Sequence, residues 1–148
     1  MAASAWTVFN KAKEKLADGT FDLDTHTFKM ALCGASQSLT AAFAGTSTDC
    51  RYADLTDQVT NGAGYTTGGA TLTGVTWVES GGTITFDSNN PQWTSLTKTG
   101  IKYAVIYDDT DANKGLVCFC ELESGSSINV TNGTLDITIA AGGIFTLA

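Results

Sequence analysis

From Phe28 onward the apolar residues of this chain recur at every second position, and the runs are broken by Gly-Gly and Asn-Gly pairs. That period places successive side chains on opposite faces of a strand, and wound as a helix it would scatter the apolar set around the axis. Phe28, Met30 and Leu32 therefore fall on one face of a first strand and Lys29, Ala31 and Cys33 on the other. Residues 75–80 and 83–87 flank Gly81-Gly82, a pair able to take the positive φ angles of a tight hairpin turn. Asn89, Asn90 and the only proline, Pro91, end this hairpin and leave Trp93 as a large apolar anchor. Residues 101–107 and 116–122 are apolar on both faces, which predicts the centre of the sheet, with the acidic segment 108–114 as a connecting loop. Three last strands, over 128–130, 134–139 and 144–147, are separated by Asn132-Gly133 and Gly142-Gly143. Residues 34–50, small and polar, read as a long loop.

Ahead of this pattern, Trp6, Phe9, Lys13 and Leu16 recur at helical spacing until Asp18-Gly19 supplies a stop. The sequence thus predicts an N-terminal helix over about residues 5–17 and a β region over about 27–148, within a single domain. A 148-residue chain buries about 70% of the surface that it exposes when unfolded, enough for a core of its own. The expected fold is mainly β, an antiparallel β-sandwich or barrel with one N-terminal α-helix.

Fifteen acidic against eight basic residues give a net charge of −7, which repels a phosphate backbone and speaks against nucleic acid as a partner. Lys11, Lys13 and Lys15 lie close together but are balanced by Glu14 and Asp18, as on a solvated helix face. No apolar run approaches the length of a membrane-spanning helix, and the opening residues do not have the form of a secretory signal, so no membrane partner is expected.

Candidate chemistry is sparse. The single histidine, His26, precedes a strand and reads as a surface or loop residue, without a nucleophile elbow elsewhere in the chain. Cys118-Phe119-Cys120 puts two thiols on one strand face, yet zinc knuckles use closer-spaced pairs than Cys33 and Cys50, and a bridge between thiols two apart on a strand is geometrically poor. Small buried apolar residues are the default for Cys118 and Cys120. Cys50, in a polar segment beside Arg51, is expected to be exposed with its thiolate favoured, which leaves open a disulfide to Cys33 or to a neighbouring subunit; free thiols are the default in a reducing compartment. Asp109, Asp111 and Asn113 match the first half of an EF-hand loop, but Lys114 stands at the glycine of its sharp turn and Cys120 at its bidentate glutamate, so a solvated acidic loop is expected instead. Gly68-Gly69 reads as a β-turn, without the Lys-Ser/Thr of a phosphate loop. Tyr65, Trp77, Trp93, Tyr103 and Tyr107 read as core or interface residues before a sugar-binding face. No enzyme activity, metal or cofactor is expected.

Four segments in order, WTVFNKAKEKLADGTFDLDTHTFKMAL over residues 6–32, AGYTTGGATLTGVTW over 63–77, KYAVIYDD over 102–109 and TLDITIAAGGIFTL over 134–147, resemble a widespread family of small virion proteins of tailed bacteriophages. The resemblance covers nearly the whole chain. It implies a non-enzymatic structural protein made in the host bacterial cytoplasm and carried in the virion, with head decoration, as a capsid cement on the outside of the assembled head, the preferred role. The implied partners are the major capsid protein or other virion proteins, together with further copies of the chain; a homo-oligomer is expected, and a trimer would suit the local threefold positions of a head lattice. Trp6 and Phe9 on the predicted helix are the candidate interface residues, the alternative being that the helix caps its own sandwich. A neck, collar or tail component is the other role within this class, and a carbohydrate- or host-surface-binding module of the virion is the role outside it.

Overall fold

The computed structural model describes residues 4–45 and 48–148. The chain is mainly β, with antiparallel sheets and one helix near the N-terminus. Its elements are β1 (Thr7–Val8), α1 (Asn10–Ala17), β2 (Phe28–Gly34), a short 3-10 turn (Tyr52–Asp54), β3 (Ala70–Thr71), β4 (Thr76–Ser80), β5 (Thr83–Asp87), β6 (Gln92–Asp108), β7 (Leu116–Glu121), β8 (Ile128–Asp136) and β9 (Phe145–Leu147). The larger sheet runs in the order β1-β7-β6-β2-β3, with β8 also paired to β6, and the smaller in the order β4-β5-β9.

Register explains why β2, β6 and β7 are apolar on both faces. Met30 lies opposite Ile106 and Ile106 opposite Cys118, so these share one face, while Ala31, Val105 and Phe119 share the other. On the first face Phe28 meets Phe86 of β5 edge-on at 5.3 Å between ring centroids, which joins the two sheets. On the second, Phe119 receives Phe9 at 5.1 Å, and Tyr107 stacks with Tyr52 at 4.5 Å. Each face has an apolar cover, as the double-sided pattern requires.

The hairpin at Gly81-Gly82 forms as expected, with Thr76 opposite Asp87 and Ser80 opposite Thr83. Three expectations are corrected. The helix starts at Asn10, not near residue 5, because the preceding residues are drawn into the large sheet: Thr7 and Val8 pair with Phe119 and Cys118, and the Phe9 amide donates to the Val117 carbonyl at 3.1 Å. β7 has an edge not taken by β6, and Trp6 to Phe9 are all aromatic or β-branched, which suits them to pair along it. β6 begins at Gln92 rather than near 101, so Trp93 is part of the strand. Asn132-Gly133 makes no turn; β8 continues through it with a shifted register against β6, where Asn132 takes φ 43° and its amide donates to Thr97 Oγ1 at 2.9 Å. A positive φ inside a ladder inserts a bulge that bends the strand without ending it.

Candidate functional site

An apolar groove of about 540 Å³ lies between α1, the segment that follows it, and the smaller sheet. One wall begins with Lys13, Leu16 and Ala17 on α1. The helix stops at Asp18, whose carboxylate accepts from the Thr20 amide at 2.9 Å, and Gly19 turns the chain back with φ 83°. Asp22 then folds the next turn around itself, accepting from the amides of Asp24 and Thr25 and from the Thr25 hydroxyl at 2.6 Å. Those bonds hold its carboxyl below the usual carboxylate range, the Thr25 hydroxyl contributing most. Phe21 and Leu23 are thereby pressed into the floor of the groove. The opposite wall is Trp77 of β4 with Thr146 and Leu147 of β9. Trp77 lies against Phe86 and Phe145, which anchors that wall to the core. Leu147 is 43% exposed, one of two large hydrophobic side chains that remain open to solvent among the described residues; the other is Val78 on β4.

The charges around this groove are mostly committed elsewhere. Lys15 is buried, stacks over the Phe21 ring and lies 3.6 Å from Asp111. Lys29 and Lys114 both reach Asp109, whose carboxyl they hold below its ordinary range, Lys114 through the stronger hydrogen bond. Lys11 pairs with Glu14, Arg51 with Asp54 and Lys102 with Glu121, and Lys98 donates to the Thr60 carbonyl. Among the described residues Lys13 is the one basic side chain with neither an ion-pair nor a hydrogen-bond partner.

The acidic loop after β6 is exposed at Thr110 and over 112–114, as expected, but its carboxylates are engaged and Asp108, which belongs to β6, points inward. Asp108 is fully buried, lies 2.6 Å from His26 Nδ1 and accepts from the amides of Thr110 and Asp111. Asp111 accepts from the amides of Asn113 and Gly115. These carboxylates replace missing backbone partners inside a tight connection, and His26 is fastened to the loop instead of standing free. No group of three or more metal-ligating side chains forms among the described residues.

The structure separates the residues singled out from the sequence. Phe9 is fully buried, packed between Phe43 and Phe119, so it is a core residue and not a docking one; Trp6 is half-buried and lies outside the helix. Cys50 is corrected from exposed to buried, with its carbonyl accepting from the Leu116 amide, and removal from water pushes its thiol up to about 12. Arg51 turns toward Asp54 instead of activating it. Cys33 is fully buried, its thiol also raised to about 12 by desolvation, and all four cysteines are free thiols. Tyr65, Trp93, Tyr103 and Tyr107 are in the core, which leaves Trp77 as the one of the five aromatics to line the groove. Sequence reasoning missed the groove because its walls come from residues about 60 to 130 positions apart, a separation that periodicity cannot see. Compared with family models, with curated protein sequences and with solved structures, the chain has no match.

Proposed function

We propose that this chain is a non-enzymatic structural component of a bacteriophage particle, a decoration or cement protein bound to the outside of the assembled head through its apolar groove. The observation that carries the docking part of this reading is the groove itself, about 540 Å³ lined by the partly buried Leu16 and Trp77 and by Leu147, one of two large apolar side chains exposed among the described residues. Apolar surface left open on a small acidic domain is better suited to a protein contact than to solvent. The particle part rests on the resemblance of the four ordered segments. A double-sided core with largely buried polar bridges, His26 to Asp108 at 2.6 Å and Lys15 to Asp111 at 3.6 Å, suits a scaffold that must survive outside a cell.

The test is location. A cryo-EM map of the particle, or of isolated heads to which the purified protein has been added, should carry this fold in many copies over the head lattice. Copies confined to one vertex would move the protein to the neck, and heads that remain bare at saturating protein would remove the decoration reading.

A further inference from the structure

The contents of the groove can be argued from its charges and its edge. Seven of the eight Lys and Arg side chains are engaged within the molecule, and Lys13, on the groove wall, is the exception among the described residues. Asp22, the carboxylate that also lines the groove, is turned back into its own loop by three donors. A molecule of net charge −7 thus presents at this apolar surface an ammonium without a partner among the described residues, beside an Asp22 carboxylate whose acceptors are already occupied by its own loop. β9, at the end of the smaller sheet, pairs with β5 on one side and with no strand on the other among the described residues, and its Thr146 and Leu147 line the groove. A strand edge beside an apolar trough is where an extended peptide can add as a further strand, its backbone giving affinity and its alternate side chains specificity.

We propose that the groove receives an extended segment of a partner polypeptide, which pairs along β9, lays apolar side chains against Leu16, Trp77 and Leu147, and sets a carboxylate against Lys13. This rests on reading the groove as the docking surface and adds the chemistry of what docks there. A free long-chain carboxylate would satisfy Lys13 and the apolar wall but leave the strand edge unused.

The experiment is to pan the folded full-length chain against a display library of random peptides of about ten residues, long enough to cover one strand. The expected binders alternate apolar and polar residues and carry Asp or Glu. Lys13→Glu should exchange that acidic requirement for Lys or Arg, and Leu147→Glu should recover no enriched family. Lys13→Gln should weaken a recovered peptide about threefold to tenfold, as loss of one half-desolvated charge contact does. Both side chains are exposed enough for the variants to keep the wild-type unfolding midpoint, and the Lys13 variants test the proposal even where Leu147→Glu does not fold. Bound peptide should also slow amide exchange at Thr146 or Leu147. The proposal is overturned by acidic binders recovered equally by Lys13→Glu, by no enrichment over Leu147→Glu, or by an oligomer of the free chain that Leu147→Glu dissolves, which would put a second copy in the groove. Displacement of the peptides by dodecanoate with no protection of the β9 amides would point to a lipid and also overturn it. Peptides that bind as described while heads stay bare sink the particle reading alone; loss of peptide selection while wild-type protein still coats heads sinks this inference alone; heads coated equally well by Lys13→Glu and Leu147→Glu sink both this inference and the groove as the docking surface.

Discussion

Gly69→Ala should be among the most damaging single-methyl additions in this protein. Gly69 sits at φ 80° in the turn before β3, and a Cβ built there would lie 1.9 Å from the Met30 carbonyl oxygen and 2.6 Å from its carbon. Ordinary contact between such atoms starts near 3.5 Å, so the turn must retreat from β2. The left-handed conformation by itself costs an alanine about 1–2 kcal/mol. Retreat would also stretch the bond that the buried Tyr107 hydroxyl donates to the Gly68 carbonyl, now 2.9 Å. An unsatisfied buried hydroxyl adds about 1–3 kcal/mol, for a total of about 2–5 kcal/mol. Gly62 is the matched control: its φ is 94°, but an added Cβ meets nothing within 4 Å, so only the conformational term applies. Urea unfolding followed by tryptophan fluorescence reads the difference. With a slope near 2 kcal/mol per M, the midpoint should fall by about 1–2.5 M for Gly69→Ala and by about 0.5–1 M for Gly62→Ala, the larger shift belonging to Gly69→Ala. Equal shifts for the two variants would refute the steric argument and leave only backbone conformation.

Phe9→Ala removes a ring packed between Phe43 and Phe119 and should cost about 3–5 kcal/mol, read by the same unfolding assay; a cost below about 1 kcal/mol would return Phe9 to the surface. Native protein at pH 8 should leave Cys33, Cys50, Cys118 and Cys120 unalkylated by iodoacetamide, with all of them labelled in urea, because burial holds each thiol far above that pH; rapid native labelling of Cys50 would contradict its placement. Asp109 has its folded-state carboxyl lowered by Lys114 and Lys29, so its contribution is present at neutral pH and is lost as pH falls below about 4. Asp109→Asn should flatten that part of the acid limb by less than about 1 kcal/mol, since the pair is partly exposed, and an unchanged limb would remove Asp109 from acid sensitivity. On the proposed decoration role, raising NaCl to about 1 M shortens the screening length to about 3 Å yet should leave most copies on purified heads, because the proposed docking groove is mainly apolar; full release at moderate salt would contradict an apolar attachment.

The strands were legible where local pattern and tertiary demand agree. Phe28, Met30 and Leu32 announce a period of two, and the structure uses it to face the smaller sheet. The Gly81-Gly82 hairpin was equally legible because its turn chemistry is local. The N-terminal boundary was not. Trp6, Phe9, Lys13 and Leu16 fit a helical stripe, but so strong a β-forming run as Trp6 to Phe9 is claimed by any open strand edge, and which edge is open depends on β7, more than a hundred residues away. Asn132-Gly133 misled for a related reason: the same positive φ that closes a hairpin also makes a bulge, and only the partner strand decides between them.

The polar residues were harder still, because composition reports charge and not where charge points. Read as a sequence, the DDTDANK run from Asp108 is a solvated acidic loop, and Cys50 beside Arg51 is an activated thiol. In the fold Asp108 faces inward to His26 and to two amides, Arg51 turns to Asp54, and Cys50 lies under the chain that joins β7. The connection begins at the buried Asp108, whose carboxylate takes up the amides of Thr110 and Asp111, and the cations nearby are drawn to the carboxylates that follow it. Lys15, Lys29 and Lys114 all end at Asp109 or Asp111 by this route. Lys13 escapes it because it stands on the side of α1 that borders the groove instead of the acidic loop. Its freedom is thus a consequence of helix phase, and the same phase that frees it sets it beside Leu16 on the wall of the apolar groove.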